Sequence, residues 1–418
     1  MSQKQSEPDK NLDALRGNHS VYEFADGIFG QEQAGWLITI ETSLGLIQID
    51  TGDNAATSLE LIRARTQDPF YAIIYSHGHQ RYNLSCREWV LDSINSHGHV
   101  PRVIGHENVP RRQKRYLETN GLQNNLLERQ FRYPIGSLKG RTFPFFPPTE
   151  TFSRELTIST PGRTLHIMHS PSETDDALAV WIPEEKILYA GPTVIPFLPN
   201  VGSPQRPLRD AVRWANSLDE LAKFPSEMLI REFGPPVIGR ENIDEVLTTT
   251  ARALRWCHEQ VITLMNDGHN IQEIVNMVTP DPEIFNYPWL VEGYTAIEHI
   301  FQDIYRSQFG WWTDLNPTSL HPAHPADVAR EIRTAISDPA AVIAHARQLA
   351  ADDQVKLALH VIDLLALGSG QDDFTREARA LKAELCARAA TEVTKSYVSQ
   401  SLLLNGAADM ERLNESGK

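Results

Sequence analysis

The stretch Tyr71-Ala-Ile-Ile-Tyr-Ser-His-Gly-His79 joins a short apolar run directly to a His-Gly-His motif. A run rich in isoleucine and tyrosine that ends at polar residues predicts a buried β-strand. Two histidines separated by one residue, on the loop that follows a strand, can both face one point, and Gly78 lets the backbone turn sharply between them. His77 and His79 are therefore a candidate pair of metal ligands.

A second His-Gly-His copy, His97-Gly98-His99, has different surroundings. It lies among serine, asparagine and glycine residues, which predicts an exposed loop. Because the chain contains fifteen histidines, such pairs also arise by chance. A motif indicates a metal site only in the right structural context, so we expect the second copy to be a surface feature.

The secondary-structure pattern of the chain changes once along its length. As far as about residue 247, short β-rich runs alternate with helical patterns, which predicts an α/β sandwich. Beyond that point apolar residues recur at helical spacing, and Asn270 followed by Glu273 has the spacing of a capping box. We therefore predict four segments: an N-terminal arm (1–20), an α/β domain (21–247), an all-α domain (248–395) and a loose C-terminal tail (396–418).

Composition narrows the classes of function. The 418 residues include 39 Lys and Arg against 54 Asp and Glu, so the formal net charge is −15. Such an acidic chain repels phosphate backbones and anionic lipids, which argues against nucleic-acid and membrane partners. Three cysteines are too few for a disulfide framework, and neither a signal peptide nor a transmembrane run is present, so we expect a cytoplasmic protein.

Further motifs carry a resemblance to a known family. His169-Ser-Pro-Ser-Glu-Thr-Asp-Asp176, Tyr189-Ala-Gly-Pro-Thr193 and Phe233-Gly-Pro-Pro-Val-Ile-Gly239 resemble loops of the metallo-β-lactamase superfamily. In the second half, Gly310-Trp-Trp-Thr-Asp-Leu-Asn-Pro317 resembles the dimerisation domain of alkyl sulfatases. The resemblance implies an αββα sandwich followed by an all-α dimerisation domain, and a homodimer that forms through the helical part.

The resemblance also implies which residues bind metal. The family's first metal site, two histidines and a glutamate, falls on His77, His79 and Glu173. The positions of the second site hold Arg81, Tyr82 and Phe233, with Gly191 and Pro192 near the bridging carboxylate. Arginine cannot lose its proton to become a ligand, and phenylalanine has no donor atom. We therefore expect one divalent metal per chain, with Zn²⁺ favoured and Fe²⁺ as the alternative.

The substituted positions suggest a further role. We expect Arg81 and Tyr82 to be catalytic, because a fixed positive charge and a phenol can stabilise an oxyanion where a second cation is missing. The structural alternative is that Arg81 pairs with Glu232 or Asp176 and merely neutralises the vacated pocket. Four residues are expected to contact the metal ligands or the substrate: His169, Asp175, Asp176 and Glu232.

Three functions remain open on these grounds. The first is a metal-dependent hydrolase that resembles alkyl sulfatases and acts on a small organic molecule with an anionic or polar head. The second is a mononuclear non-haem Fe(II) oxygenase or lyase, which uses the same three ligands. The third is a catalytically inactive binding protein that keeps the fold.

Overall fold

The computed structural model describes residues 21–415 and shows two β-sheets that face each other. The first sheet has seven strands in sequential order. Its first four strands are antiparallel, whereas β4 to β7 run parallel. The strands are β1 (Val21–Ala25), β2 (Ile28–Glu32), β3 (Trp36–Thr42), β4 (Gly45–Ile49), β5 (Phe70–Ile74), β6 (Arg102–His106) and β7 (Glu150–Phe152).

The second sheet has six strands in the order β13-β12-β11-β10-β9-β8. All of its neighbours are antiparallel except β11 and β12, which are parallel. The strands are β8 (Glu155–Thr160), β9 (Arg163–His169), β10 (Leu178–Ile182), β11 (Ile187–Gly191), β12 (Met228–Arg231) and β13 (Val237–Ile238).

Apolar side chains fill the space between the sheets and cover both outer faces. Ile47 and Ile74 from the first sheet share one buried cluster with Ile167 and Val180 from the second. Helices cover the outer face of the first sheet and, separately, that of the second. This arrangement confirms the predicted αββα sandwich. The helices in this part of the chain are α1 (Ala55–Arg63), α2 (Cys86–His97), α3 (Val109–Glu118), α4 (Asn120–Gln130), α5 (Ala211–Leu221) and α6 (Arg240–Asn266).

The rest of the described chain is helical, as predicted. The capping box of Asn270 and Glu273 is present, and each side chain of the pair accepts a backbone N–H of the other residue. The predicted boundary at residue 247 lies inside α6. The later helices are α7 (Ile271–Met277), α8 (Pro282–Phe285), α9 (Ile297–Gln308), α10 (Pro325–Ala335), α11 (Pro339–Ala351), α12 (Val355–Ala366), α13 (Asp373–Glu392) and α14 (Tyr397–Glu415).

The C-terminal segment differs from the loose tail that the sequence predicts. Residues 397–415 form α14, which packs against α13 and against α4 of the sandwich. Arg129 on α4 forms a 2.9 Å ion pair with Asp409, and Arg132 donates a 3.0 Å hydrogen bond to Ser401. The predicted arm, residues 1–20, lies outside the described residues. Within residues 21–415, no helix is long and apolar enough to cross a membrane.

Candidate metal centre

The first His-Gly-His motif lies at the carboxyl edge of the first sheet. The chain leaves β5 at Ile74 and places both imidazoles side by side, with 2.8 Å between Nε2 of His77 and Nδ1 of His79. His77 is fully buried, whereas His79 is partly open to a cavity. A Cβ atom at position 78 would approach Asp176 Oδ2 to 2.5 Å, so only glycine fits this close turn. In contrast, His97 in the second copy is an exposed residue at the end of α2.

A hydrogen-bonded chain behind His77 fixes its ring orientation. Nδ1 of His77 lies 2.9 Å from the hydroxyl of Ser76, and that hydroxyl donates to the carboxylate of Asp50. Since the hydroxyl proton is used on Asp50, Nδ1 of His77 must donate to Ser76, and the lone pair of Nε2 faces His79. Outer partners of this kind set the tautomer that a metal ligand needs.

Glu173 approaches the histidines from the loop between β9 and β10. Its Oε1 accepts hydrogen bonds from Arg209 (2.7 Å) and Asn200 (3.2 Å), which leaves Oε2 at 4.0 Å from Nδ1 of His79. In the described part of the chain, His77, His79 and Glu173 are the one group of potential ligands whose donor atoms all lie within 4.8 Å of one another. Two ligands of one ion with bonds of about 2.0–2.2 Å can be at most about 4.4 Å apart, so small shifts would accommodate a divalent cation.

Burial keeps both imidazoles in the form that binds metal. Burial lowers the pKa of His77 to about 4, although Glu173 and Asp176 act in the opposite direction. Burial also lowers the pKa of His79, and the neighbouring His77 adds to this effect. Both rings are therefore neutral near pH 7. Because Nε2 of His77 accepts in the 2.8 Å contact, Nδ1 of His79 carries the proton, which would move to Nε2 of the same ring when a cation binds.

The residues at the expected second metal site make other contacts. Arg81 pairs with Asp53, with 2.8 Å between Nη2 and Oδ2, so the predicted structural partners Glu232 and Asp176 are wrong. The phenol of Tyr82 donates a short hydrogen bond to Oε1 of Glu232. Phe233 packs in an apolar cluster with Ile195 and Phe197.

Three of the residues expected near the ligands are held by other groups. Arg112 binds both Asp175 and Asp176, and Asp176 is fully buried. Nε2 of His169 lies 3.0 Å from the backbone oxygen of Asp175, and its ring stacks on His106. No hydrogen bond links any of these three side chains to His77, His79 or Glu173 within residues 21–415.

Two adjoining cavities share His79 in their lining. The first, about 140 Å³, is lined by Glu173 and Glu232 and by apolar residues that include Leu127, Phe131 and Ile195. The second, about 320 Å³, is lined by six arginines, among them Arg206, which also lines the first. A strongly basic cavity in a chain of net charge −15 is suited to an anion.

Several residues of the site were missed from the sequence. Asp50 and Ser76 follow the neighbouring parallel strands β4 and β5, and this adjacency was the signal that could have located them. Asn200, Arg206 and Arg209 lie on one loop after β11, where two arginines near an asparagine gave a weaker signal.

Family comparisons agree with this architecture. A model of the metallo-beta-lactamase superfamily matches residues 90–231, and one described as alkyl sulfatase dimerisation matches residues 270–412. The chain has a metallo-β-lactamase domain followed by an alkyl sulfatase dimerisation domain. The superfamily match includes Glu173 but begins after His77 and His79.

Curated relatives agree with these matches, and a solved structure shares the fold. The chain is 29% identical over 316 residues to a linear primary-alkylsulfatase of a Pseudomonas strain, covering 70% of this chain and 59% of the relative. It is 24% identical to the alkyl/aryl-sulfatase BDS1 of Saccharomyces cerevisiae, with coverages of 87% and 60%. The solved sec-alkylsulfatase Pisa1 from Pseudomonas sp. shares the fold with a TM-score of 0.80 at 21% identity, over 94% of this chain and 65% of that one. The chain thus spans about three-fifths of the length of these curated relatives.

Proposed function

We propose that this protein is a metal-dependent hydrolase of organic sulfate esters with a single divalent cation on His77, His79 and Glu173. The observation that carries the proposal is the meeting of these three donors beside a cavity that has an apolar wall and a positively charged end. The names of the relatives, alkyl and aryl sulfatases, support the substrate class. The match to a dimerisation family supports a homodimer that forms through the helical part.

Arg206 is suited to bind the anionic head of the substrate. Its guanidinium donates to the amide oxygens of Gln130 and Gln123, which are neutral acceptors. No carboxylate within residues 21–415 forms an ion pair with it, so its positive charge remains uncompensated. Arg209 differs, because Glu173 neutralises it. A planar guanidinium held by two side chains matches the geometry of an oxyanion.

The first cavity offers different surroundings to the two ends of the substrate. Its aliphatic and aromatic wall would remove the organic body from water, while Arg206 binds the charged end. A bound cation on the three ligands would supply Lewis-acid polarisation of the ester and activation of water. Tyr82 holds its phenolic proton toward Glu232, next to the imidazole of His77, which is where an acid or base would exchange a proton with the substrate. Arg81 lies at the edge of the same cavity and remains paired with Asp53.

Elemental analysis combined with a sulfate-release assay tests the proposal. The purified full chain is expected to contain about one divalent metal per polypeptide and to release inorganic sulfate from short alkyl sulfates but not phosphate from the matching alkyl phosphates. Chelation should stop the release, and Zn²⁺ should restore it. Stoichiometric iron with oxygen uptake and no sulfate release would instead favour an oxygenase, and a metal-free active protein would contradict the proposed site.

Replacement of the two arginines separates their roles. Arg206→Met is expected to raise the KM for an alkyl sulfate by about 10-fold or more, because a charged hydrogen bond to the anion is worth about 1.5–3 kcal/mol. Metal content should stay unchanged. Arg81→Met is the matched control and should change KM much less, since Arg81 is already paired and partly exposed. A larger effect of Arg81 than of Arg206 on KM would show that the anion binds at the other end of the cavity.

A further inference from the structure

Glu232 is the buried group in the site that its neighbours leave incompletely bonded. It follows β12, and its backbone is fixed on both sides: its N–H donates to Val194 O (3.0 Å) and its carbonyl accepts from Trp36 N (3.1 Å). With the main chain held in this way, the side chain points to the histidines, and Oε1 lies 4.0 Å from Nε2 of His77. The residue is only 2% exposed.

The two carboxyl oxygens of Glu232 have different surroundings. Oε1 accepts the phenol of Tyr82, whereas Oε2 is buried and has no hydrogen-bond partner within residues 21–415. No arginine or lysine of the described chain forms an ion pair with this carboxyl group. Burying a polar oxygen without a hydrogen-bond partner is costly, so the orphaned Oε2 calls for a bound group.

We propose that Glu232 is an additional ligand of the cation, which makes the centre a two-histidine, two-carboxylate site. Oε1 of Glu232 lies 4.0 Å from Nε2 of His77, the same separation as that between Glu173 and His79, so a shift of the Glu232 side chain toward the other three donors would complete the ligand set. Glu232 follows a strand of the second sheet, whereas Asp50 and the histidines follow strands of the first. Its neighbour Phe233 has no donor atom. Tyr82 is then a positioning residue that holds Oε1.

The second carboxylate changes the character of the site. Two imidazoles and two carboxylates carry two negative charges, so a divalent cation would leave the ligand set neutral. The larger share of oxygen donors also suits Mn²⁺ and Fe²⁺ as well as Zn²⁺. This inference rests on the metal site of the proposed function, although it does not depend on which ester is cleaved.

Metal titration of the full-length Glu232→Gln variant tests the inference. The affinity for Zn²⁺, measured by calorimetry against a competing chelator, is expected to fall by more than the roughly 10–100-fold that loss of an outer partner causes. The rise in Tm that Zn²⁺ produces should shrink correspondingly. Without metal the variant should be about as stable as the wild type, because glutamine has nearly the same shape and its amide oxygen can still accept the phenol of Tyr82.

Three further variants isolate the ligand role. Glu32→Gln is the matched control, because Glu32 is also buried and accepts the N–H of Gly234 but does not contact the imidazoles. Its Zn²⁺ affinity should equal that of the wild type. Tyr82→Phe should weaken binding by no more than about 100-fold, the upper end of the range expected of an outer partner. Glu232→Asp keeps a carboxylate and guards against misfolding of the glutamine variant.

The possible outcomes distinguish failure of this inference from failure of the proposed function. Wild-type Zn²⁺ affinity in a folded Glu232→Gln protein would overturn the inference and leave the proposed function intact. A wild-type chain that binds no Zn²⁺, Mn²⁺ or Fe²⁺ would overturn both. If Glu232→Gln shows the expected loss of metal affinity but the wild type cleaves no sulfate ester, the role of Glu232 as a ligand is supported and only the proposed substrate is contradicted.

Discussion

A His77→Ala variant is expected to fold and to lose its bound metal. Nε2 of His77 lies 2.8 Å from Nδ1 of His79 and 4.0 Å from Glu232, so His77 is the donor that connects the two sides of the centre. Removal of an outer partner of a metal ligand typically costs about 10–100-fold in affinity, and removal of the ligand itself should cost more. The metal content measured by elemental analysis after dialysis should therefore fall from about one metal per chain to near zero, and sulfate release should fall with it.

The second His-Gly-His copy supplies the control for this experiment. His97→Ala changes the same residue type in the same tripeptide, but His97 is exposed at the end of α2. We expect its metal content and activity to equal those of the wild type. Circular dichroism and a thermal melt of both metal-free proteins check that the fold is retained. Full metal occupancy in His77→Ala would show that the imidazole pair does not form the centre.

The fold was predictable because its strands and most helices carry local signals. The run at 71–75 is apolar on both faces, as expected of a central strand in a parallel part of a sheet, and it became β5. Helix α13 also has a local start signal, because Asp372 caps its first turn. These elements are specified by residues close in sequence, which one chain is enough to show.

The C-terminal helix could not be predicted, because it lacks strong local signals and depends on partners that are distant in sequence. Residues 397–415 contain serine, asparagine and a glycine at 406, all of which lower helix propensity. The helix is stabilised by partners far away in sequence, including the ion pair of Asp409 with Arg129. Packing thus outweighs propensity at this point, and no local pattern reports it.

The candidate site likewise contains residues that the sequence could predict and contacts that it could not. His77, His79 and Glu173 could be proposed because two lie in one tripeptide and the third follows a strand in a motif with a family resemblance. The partner of Arg81 was predicted wrongly, because Asp53 reaches it from a loop whose position depends on how β4 continues. The orphaned oxygen of Glu232 is likewise visible only when the surrounding side chains are placed.

A buried ion pair behind the histidine loop should give the largest effect on stability. Asp176 is fully buried, its Oδ2 lies 2.6 Å from Nε of Arg112, and its Oδ1 accepts the hydroxyl of Thr174. Burial raises the pKa of Asp176, but Arg112 and Thr174 lower it more, so the carboxyl group stays charged. Asp176→Ala would leave Arg112 with the partly exposed Asp175 alone, and breaking such a pair costs about 3–5 kcal/mol.

Denaturant unfolding of the metal-free proteins measures this cost in a double-mutant cycle. Asp176→Ala and Arg112→Met should each lower the free energy of unfolding strongly, whereas the double variant should lose clearly less than the sum of the two. Arg330→Ala removes an exposed ion pair with Asp327 and should leave the unfolding midpoint unchanged. Because Asp176 Oδ2 also lies against Gly78, the single variants should weaken Zn²⁺ binding as well. Strict additivity of the two single variants would contradict the interpretation, since independent effects would mean that the carboxylate and the guanidinium do not stabilise each other.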